Sequence, residues 1–319
     1  MNDLQRLAAK LLCCGFQPDR RADFDSLLDL GLAGAILFSR NATTFAEVTE
    51  LTKDLRQRNA SLYIGVDQEG GRVQRFTDGF SVVPPMRECG TPGKAAEAGM
   101  TLGLELRQAG INLNFAPVAD VDSNPANPVI GDRSFGDDPH VVAECVIAHA
   151  AAMQSAGVAA CMKHFPGHGD TSQDSHHDLP RLPHDLERLN AVELVPFAKA
   201  ADVVASCMTA HVIFEPLDDK PATMSSKVLD LLRNQLGFRG VLFTDDLEMD
   251  AVADHYELRQ IIRDGLAASV DVFLVCHDPA KQRAALEELV AAVVDGVVDQ
   301  SRLEQSAARV EAMATRFAF

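Results

Sequence analysis

Short, unbroken apolar runs of strand length recur along this chain, separated by longer stretches with helical periodicity. The runs are Lys10–Cys14, Gly34–Phe38, Leu62–Val66, Asn112–Val118, Val158–Met162, Val203–Met208, Val241–Thr244 and Val272–Cys276. Continuous rather than alternating hydrophobicity marks a strand that is covered on both faces. Between the runs lie amphipathic stretches at Thr44–Arg58, Lys94–Ala109, Val141–Ala156, Asp185–Ala201 and Ser225–Leu236, and Ala280–Asp295 and Gln300–Phe317 close the chain. Ser225 reads as an N-cap and Gly237 as a C-cap. Strands alternating with helices, without a Gly/Ser-rich linker, predict an α/β fold of one (β/α)8 TIM-type barrel, a single domain over residues 1–319. A doubly wound open sheet would want a glycine-rich phosphate turn after its first strand, and Cys14–Gly15–Phe16–Gln17 does not supply one.

The residues just beyond the strands change the picture from fold to chemistry. They are Ser39–Arg40–Asn41, Asp67, Asp120, Lys163–His164, His211, Asp245–Asp246 and His277–Asp278. Any one of them could be a turn or capping residue. In a barrel, however, all of these ends converge on one face, where such folds hold their active sites.

Composition narrows the partners. A net charge of −17 with no basic cluster argues against nucleic acid, whose phosphates need Lys and Arg. The seven cysteines are odd in number and contain no CxxC pair, which suits a reducing, cytoplasmic compartment. The apolar stretch near the N-terminus is too short for a signal-peptide core or a membrane span. No obligate protein partner is evident.

The richest stretch is KHFPGHGDTSQDSHHD, Lys163–Asp178, which gathers four of the ten histidines into sixteen residues. Taken by composition it is a polar loop, a metal site or a proton-transfer site. Together with VDQEGGRVQRF (Val66–Phe76) and GVLFTDDLEMD (Gly240–Asp250), it resembles the family 3 glycoside hydrolases. The likeness is to their single-domain bacterial β-N-acetylglucosaminidases (β-N-acetylhexosaminidases) that act on cell-wall fragments, and it runs from about Gly34 to Ala253.

That resemblance implies a retaining exo-hydrolase that removes terminal β-linked N-acetylglucosamine through a covalent glycosyl-aspartate. It assigns the nucleophile to Asp245 and the acid/base to His176, oriented by Asp174. Two residues apart in an extended segment, Asp174 and His176 face the same side, so the carboxylate would favour the imidazolium. Sugar binding would fall to Asp67, Arg75, Arg133, Lys163 and His164, with His211 in support. Asp67 suits a pair of ring hydroxyls as a bidentate acceptor. Arg133, in the turn-rich GDRSFG, could close over the acetamido group. Asp246 is expected to orient neighbours, His168 and Asp170 to be loop architecture, and His277 to end the last strand. No cofactor and no metal is expected.

Three alternatives are weighed at this level, the first being attack by the substrate's own acetamido group, which would leave the Asp174/His176 dyad without purpose. Phosphorolysis at the same site would show as phosphate-dependent product. A metal-dependent barrel hydrolase, using His164, His168, Asp174 and His176 as ligands, would lose activity to chelators.

Overall fold

The computed structural model describes residues 3–172 and 179–319. Eight parallel strands close into a barrel: β1 Leu12–Cys14, β2 Gly34–Leu37, β3 Tyr63–Val66, β4 Leu113–Asn114, β5 Ala159–Phe165, β6 Ser206–Thr209, β7 Val241–Asp246 and β8 Val272–Val275. Neighbours in sequence are neighbours in the sheet, and β8 pairs back to β1 with Leu12 opposite Phe273. Each expected apolar run overlaps one of these strands; β5, β6 and β7 run on past its C-terminal end, to Phe165, Thr209 and Asp246.

Alternation along the strands separates two cores. Ala35 and Leu37, Ile64 and Val66, and Phe273 and Val275 point outward into the layer beneath the helices. Ile36, Tyr63, Val272 and Leu274 point into the barrel, where they meet Phe115, Cys161, Met208 and Phe243. The rings of Phe115 and Phe243 meet edge to face with centroids 5.4 Å apart, so the interior is a packed core.

The helices are α1 Asp3–Ala9, α2 Arg21–Leu30, α3 Phe45–Arg58, α4 Pro92–Gln108, α5 Pro139–Ser155, α6 Leu186–Ala191, α7 Leu194–Ala200, α8 Ser226–Asp230, α9 Asp250–Ala253, α10 Leu258–Ala267, α11 Pro279–Val294 and α12 Gln300–Arg316. Thr44 opens α3 with a capping box to Glu47. Ser225 caps α8 by accepting the Val228 N–H; α8 runs into a π-helical turn, Leu231–Gln235, and Gly237 takes a left-handed φ of 71° after that turn.

The structure corrects two elements. The stretch Asp185–Ala201 is two helices, because Val192 leaves helical geometry and Pro196 has no N–H to give its carbonyl. Helices α1, α2, α9 and α10 are not among the expected elements; α1 and α9 are too short for a periodic signal. Among the described residues, no helix is long and apolar enough to cross a membrane.

Candidate active site

The period of two that fills the barrel also aims the site. On β7 the inward series is Val241 and Phe243, and the next inward position is Asp245. On β5, Ala159 and Cys161 point inward, and Lys163 follows; on β3, Tyr63 and Gly65 lead to Asp67. Three ionisable groups thus sit on top of an apolar plug at the C-terminal mouth, which keeps them dry on one side and reachable from the other.

Around them runs an alternating chain of charges. Arg75 Nη2 lies 3.4 Å from Asp67 Oδ2, and Lys163 Nζ is 2.7 Å from Asp67 Oδ1 and 2.6 Å from Glu69 Oε1. Arg133 grips Glu69 with a bidentate fork at 2.8 and 2.9 Å. Glu69 and Lys163 are almost fully buried. Burial opposes the charge on Glu69, but Arg133 and Lys163 outweigh it and hold its carboxyl well below the usual carboxylate range. Burial likewise opposes the charge on Lys163, and Asp67 and Glu69 more than restore it. The array is preorganised: its members are fixed by one another before any ligand arrives.

Asp245 stays partly open to solvent and accepts the Asp246 N–H on Oδ1 at 2.8 Å. Burial pushes its pKa up, but His164, His211, the Asp246 amide and Lys163 together hold it below the ordinary value. Its neighbour points the other way, as consecutive strand residues must. Asp246 Oδ1 accepts from the Glu248 and Cys276 amides, and Oδ2 lies 3.3 Å from His277 Nε2. Asp246 therefore ties the seventh strand end to the eighth.

Hydrogen bonds on the ring nitrogens orient both His164 and His211. Buried Asp120 accepts from His164 Nδ1 at 2.7 Å and from the His164 and His168 amides. Burial works against its ionisation, but His164 and His168 keep it below the carboxylate norm, so Nδ1 of His164 carries the proton. His211 Nε2 lies 3.1 Å from the Asp246 carbonyl, which can only accept, so Nε2 carries a proton, and Nδ1 lies 2.8 Å from Thr223 Oγ1. Burial lowers the His211 pKa, against the pull of Asp245 and the Asp246 carbonyl.

The motif segment leaves β5 under tight constraint. A Cβ on Gly169 would stand 1.7 Å from the Val121 carbonyl oxygen, so close backbone approach, more than turn geometry, requires glycine there. Asn127 donates to the His168 carbonyl at 2.8 Å, and Thr171 Oγ1 lies 2.8 Å from His168 Nδ1.

Of the residues expected from sequence, Asp67, Arg75, Arg133, Lys163, His164, His211 and Asp245 come together at this mouth. Asp174 and His176 lie outside the described residues. Lys163 and His164, expected side by side on ring hydroxyls, engage different carboxylates in the structure, Asp67 with Glu69 and Asp120 respectively. Arg133 is no free closing arm, since its fork is spent on Glu69 and its Nη1 lies 3.3 Å from the Val129 carbonyl. Glu69 and Asp120 are the two groups that the sequence offered without a role. Glu69 stood inside a quoted motif, and Asp120 stood among the polar strand ends.

Comparison with known proteins follows this geometry. The model of the glycosyl hydrolase family 3 N-terminal domain matches residues 5–313. A β-hexosaminidase of Nitrosomonas eutropha is 39% identical over 285 residues, covering 86% of this chain and 81% of that protein. A family 3 β-N-acetylglucosaminidase structure from Paenibacillus sp. superposes with a TM-score of 0.95 at 41% identity, covering 100% of this chain. The present chain spans only 63% of that longer one. A β-N-acetylhexosaminidase structure from Beutenbergia cavernae gives a TM-score of 0.90 at 29% identity and covers 99% of both chains.

Proposed function

The chain belongs to glycosyl hydrolase family 3, and from that membership we propose that its barrel mouth performs retaining, exo-acting hydrolysis of terminal β-linked N-acetylglucosamine. The observation that carries the reading is Asp245: an inward carboxylate above the Phe243 plug, kept ionised by His164, His211 and Lys163.

In the first step Asp245 attacks the anomeric carbon. The Asp246 amide occupies Oδ1, so Oδ2 is the attacking oxygen. The glycosidic C–O bond breaks as His176 gives its proton to the leaving oxygen, with Asp174 orienting the imidazolium. In the second step neutral His176 takes a proton from water, which displaces Asp245 and restores the configuration at the anomeric carbon. Asp67, Arg75, Lys163 and His164 receive the sugar hydroxyls, and Arg133 holds Glu69 and through it Lys163. His211 supports the nucleophile through the Asp246 carbonyl. Peptidoglycan-derived fragments are the proposed natural glycosides, and a reducing, cytoplasmic setting belongs to the same reading, supported by seven buried free cysteines.

A 2-acetamido-2-deoxy-5-fluoro-glycosyl fluoride should label the peptide containing Asp245, read by mass spectrometry. Label on another residue would move the nucleophile away from Asp245, and none with the substrate still turned over would point to the acetamido group and reject the covalent aspartate. Asp245→Ala and His176→Ala should each lower kcat/KM on poor leaving groups, the latter by about 10²–10⁴-fold. A panel of aryl β-glycosides should show preference for N-acetylglucosamine over glucose and xylose; equal rates would sink the substrate assignment.

A further inference from the structure

The side chains at the foot of the motif segment form a cluster that the mechanism above does not use. Asp170 is bound by His184 Nε2 at 2.7 Å. Glu193 Oε1 lies 4.0 Å from the same nitrogen, and Arg188 reaches both acids, at 2.9 Å from Glu193 and 3.9 Å from Asp170. Glu193 is 2% exposed and His184 13%, whereas Asp170 at 26% and Arg188 at 38% reach the surface, so the network is rooted in the interior and opens outward. The stem of Glu193 also fills the space beneath Gly167: a Cβ there would sit 2.8 Å from its Cβ.

Each flank is separately anchored to the barrel. Upstream, His168 is held by Asp120 and Asn127, and the Asp170 carbonyl accepts from Asn124 at 3.4 Å. Downstream, Arg181–Leu182 pairs with Ile213–Phe214, and Ile213 N–H donates to the Pro180 carbonyl. The Asp170–His184 bond joins the two flanks directly.

We propose that His184 is a positioning residue for acid/base catalysis, acting by clasping Asp170 across the ends of the span that contains Asp174 and His176. The inference rests on the assignment of His176 as proton donor. Fixing the two ends of a segment removes chain entropy that would otherwise be lost each time its side chains reach the substrate. Misplacement of a catalytic group by about 1 Å can cost ~10²-fold. Asp245 is carried by β7 and does not depend on this clasp, so loss of His184 should injure proton donation and spare nucleophilic attack.

Leaving-group chemistry separates those two effects. A 2,4-dinitrophenyl glycoside departs without help from an acid, whereas a phenyl glycoside needs a proton. His184→Ala should lower kcat/KM on phenyl N-acetyl-β-glucosaminide by about 10–100-fold and on the dinitrophenyl substrate by less than about threefold. Its Tm should stay near that of the parent, and His184→Gln, which keeps an N–H for Asp170, should recover most of the loss. Equal losses on both substrates, or no loss on either, would overturn the positioning role. His176→Ala run on the same pair keeps the two ideas distinct. A steep dependence there with a flat one for His184→Ala removes this inference alone, and a flat response in His176→Ala removes the acid/base assignment along with it.

Discussion

Glu69 shows how much one side chain can hold. It is 2% exposed and stands between Arg133 at 2.8 Å and Lys163 at 2.6 Å, so its removal strands two cations in a poorly solvated site. Glu69→Gln should lower unfolding free energy by about 3–5 kcal/mol, measured by urea denaturation, and should raise KM through misplacement of Lys163. A variant as stable as the parent would mean that water already reaches the pair. The pH sign follows from the direction of the shift. A carboxyl held below its unfolded value stabilises the fold above the ordinary carboxylate range, and that contribution is lost as the pH falls through it. At this scale the sequence offered residue types and could not offer partners. It ranked Arg133 as a mobile contact because nothing local tells a buried arginine from an exposed one.

Among the elements, α4 and α5 lie unusually close. A Cβ on Gly99 of α4 would meet the His149 carbonyl of α5 at 2.3 Å, so backbones touch where side chains would normally intervene. The His149 side chain is fully buried against Phe135, neither ring nitrogen has a partner among the described residues, and burial lowers its pKa to about 4. A base whose folded pKa lies below its unfolded value of about 6.5 favours folding fully above that pH. The benefit is lost as pH falls from about 6.5 to 4, because the unfolded chain then takes up a proton that the folded one refuses. His149→Leu should therefore flatten the stability profile across that window by about 3 kcal/mol, read from urea midpoints at successive pH values. An unchanged profile would show that the ring is protonated in place. Periodicity found α4 and α5 because each runs for 17 residues. It ran α6 and α7 together because helical spacing alone does not weigh the effect of Pro196 on the Val192 carbonyl.

At the scale of the whole molecule, closure between β1 and β8 leans on the last helix. Buried Asp271, just before β8, accepts from Ser306 at 2.6 Å and Arg309 at 2.9 Å, both on α12, and pairs with Arg233. A chain ended at residue 299 would leave Asp271 with Arg233 and the Leu242 amide. It should melt far below the full chain or fail to fold, as circular dichroism would report. A truncated chain with an unchanged Tm would mean that the strands close without α12. What the sequence determined by itself was the order of eight strands, the barrel, and the acids and bases that end those strands, because a strand buried on both faces must be apolar throughout and polarity can resume only where it emerges. What the tertiary structure alone decided was who pairs with whom. The bonds of Lys163 to Asp67 and Glu69, the Arg133 fork on Glu69 and the Asp120 hold on His164 join residues far apart in the chain, and packing the strands side by side is what brings them within bonding distance.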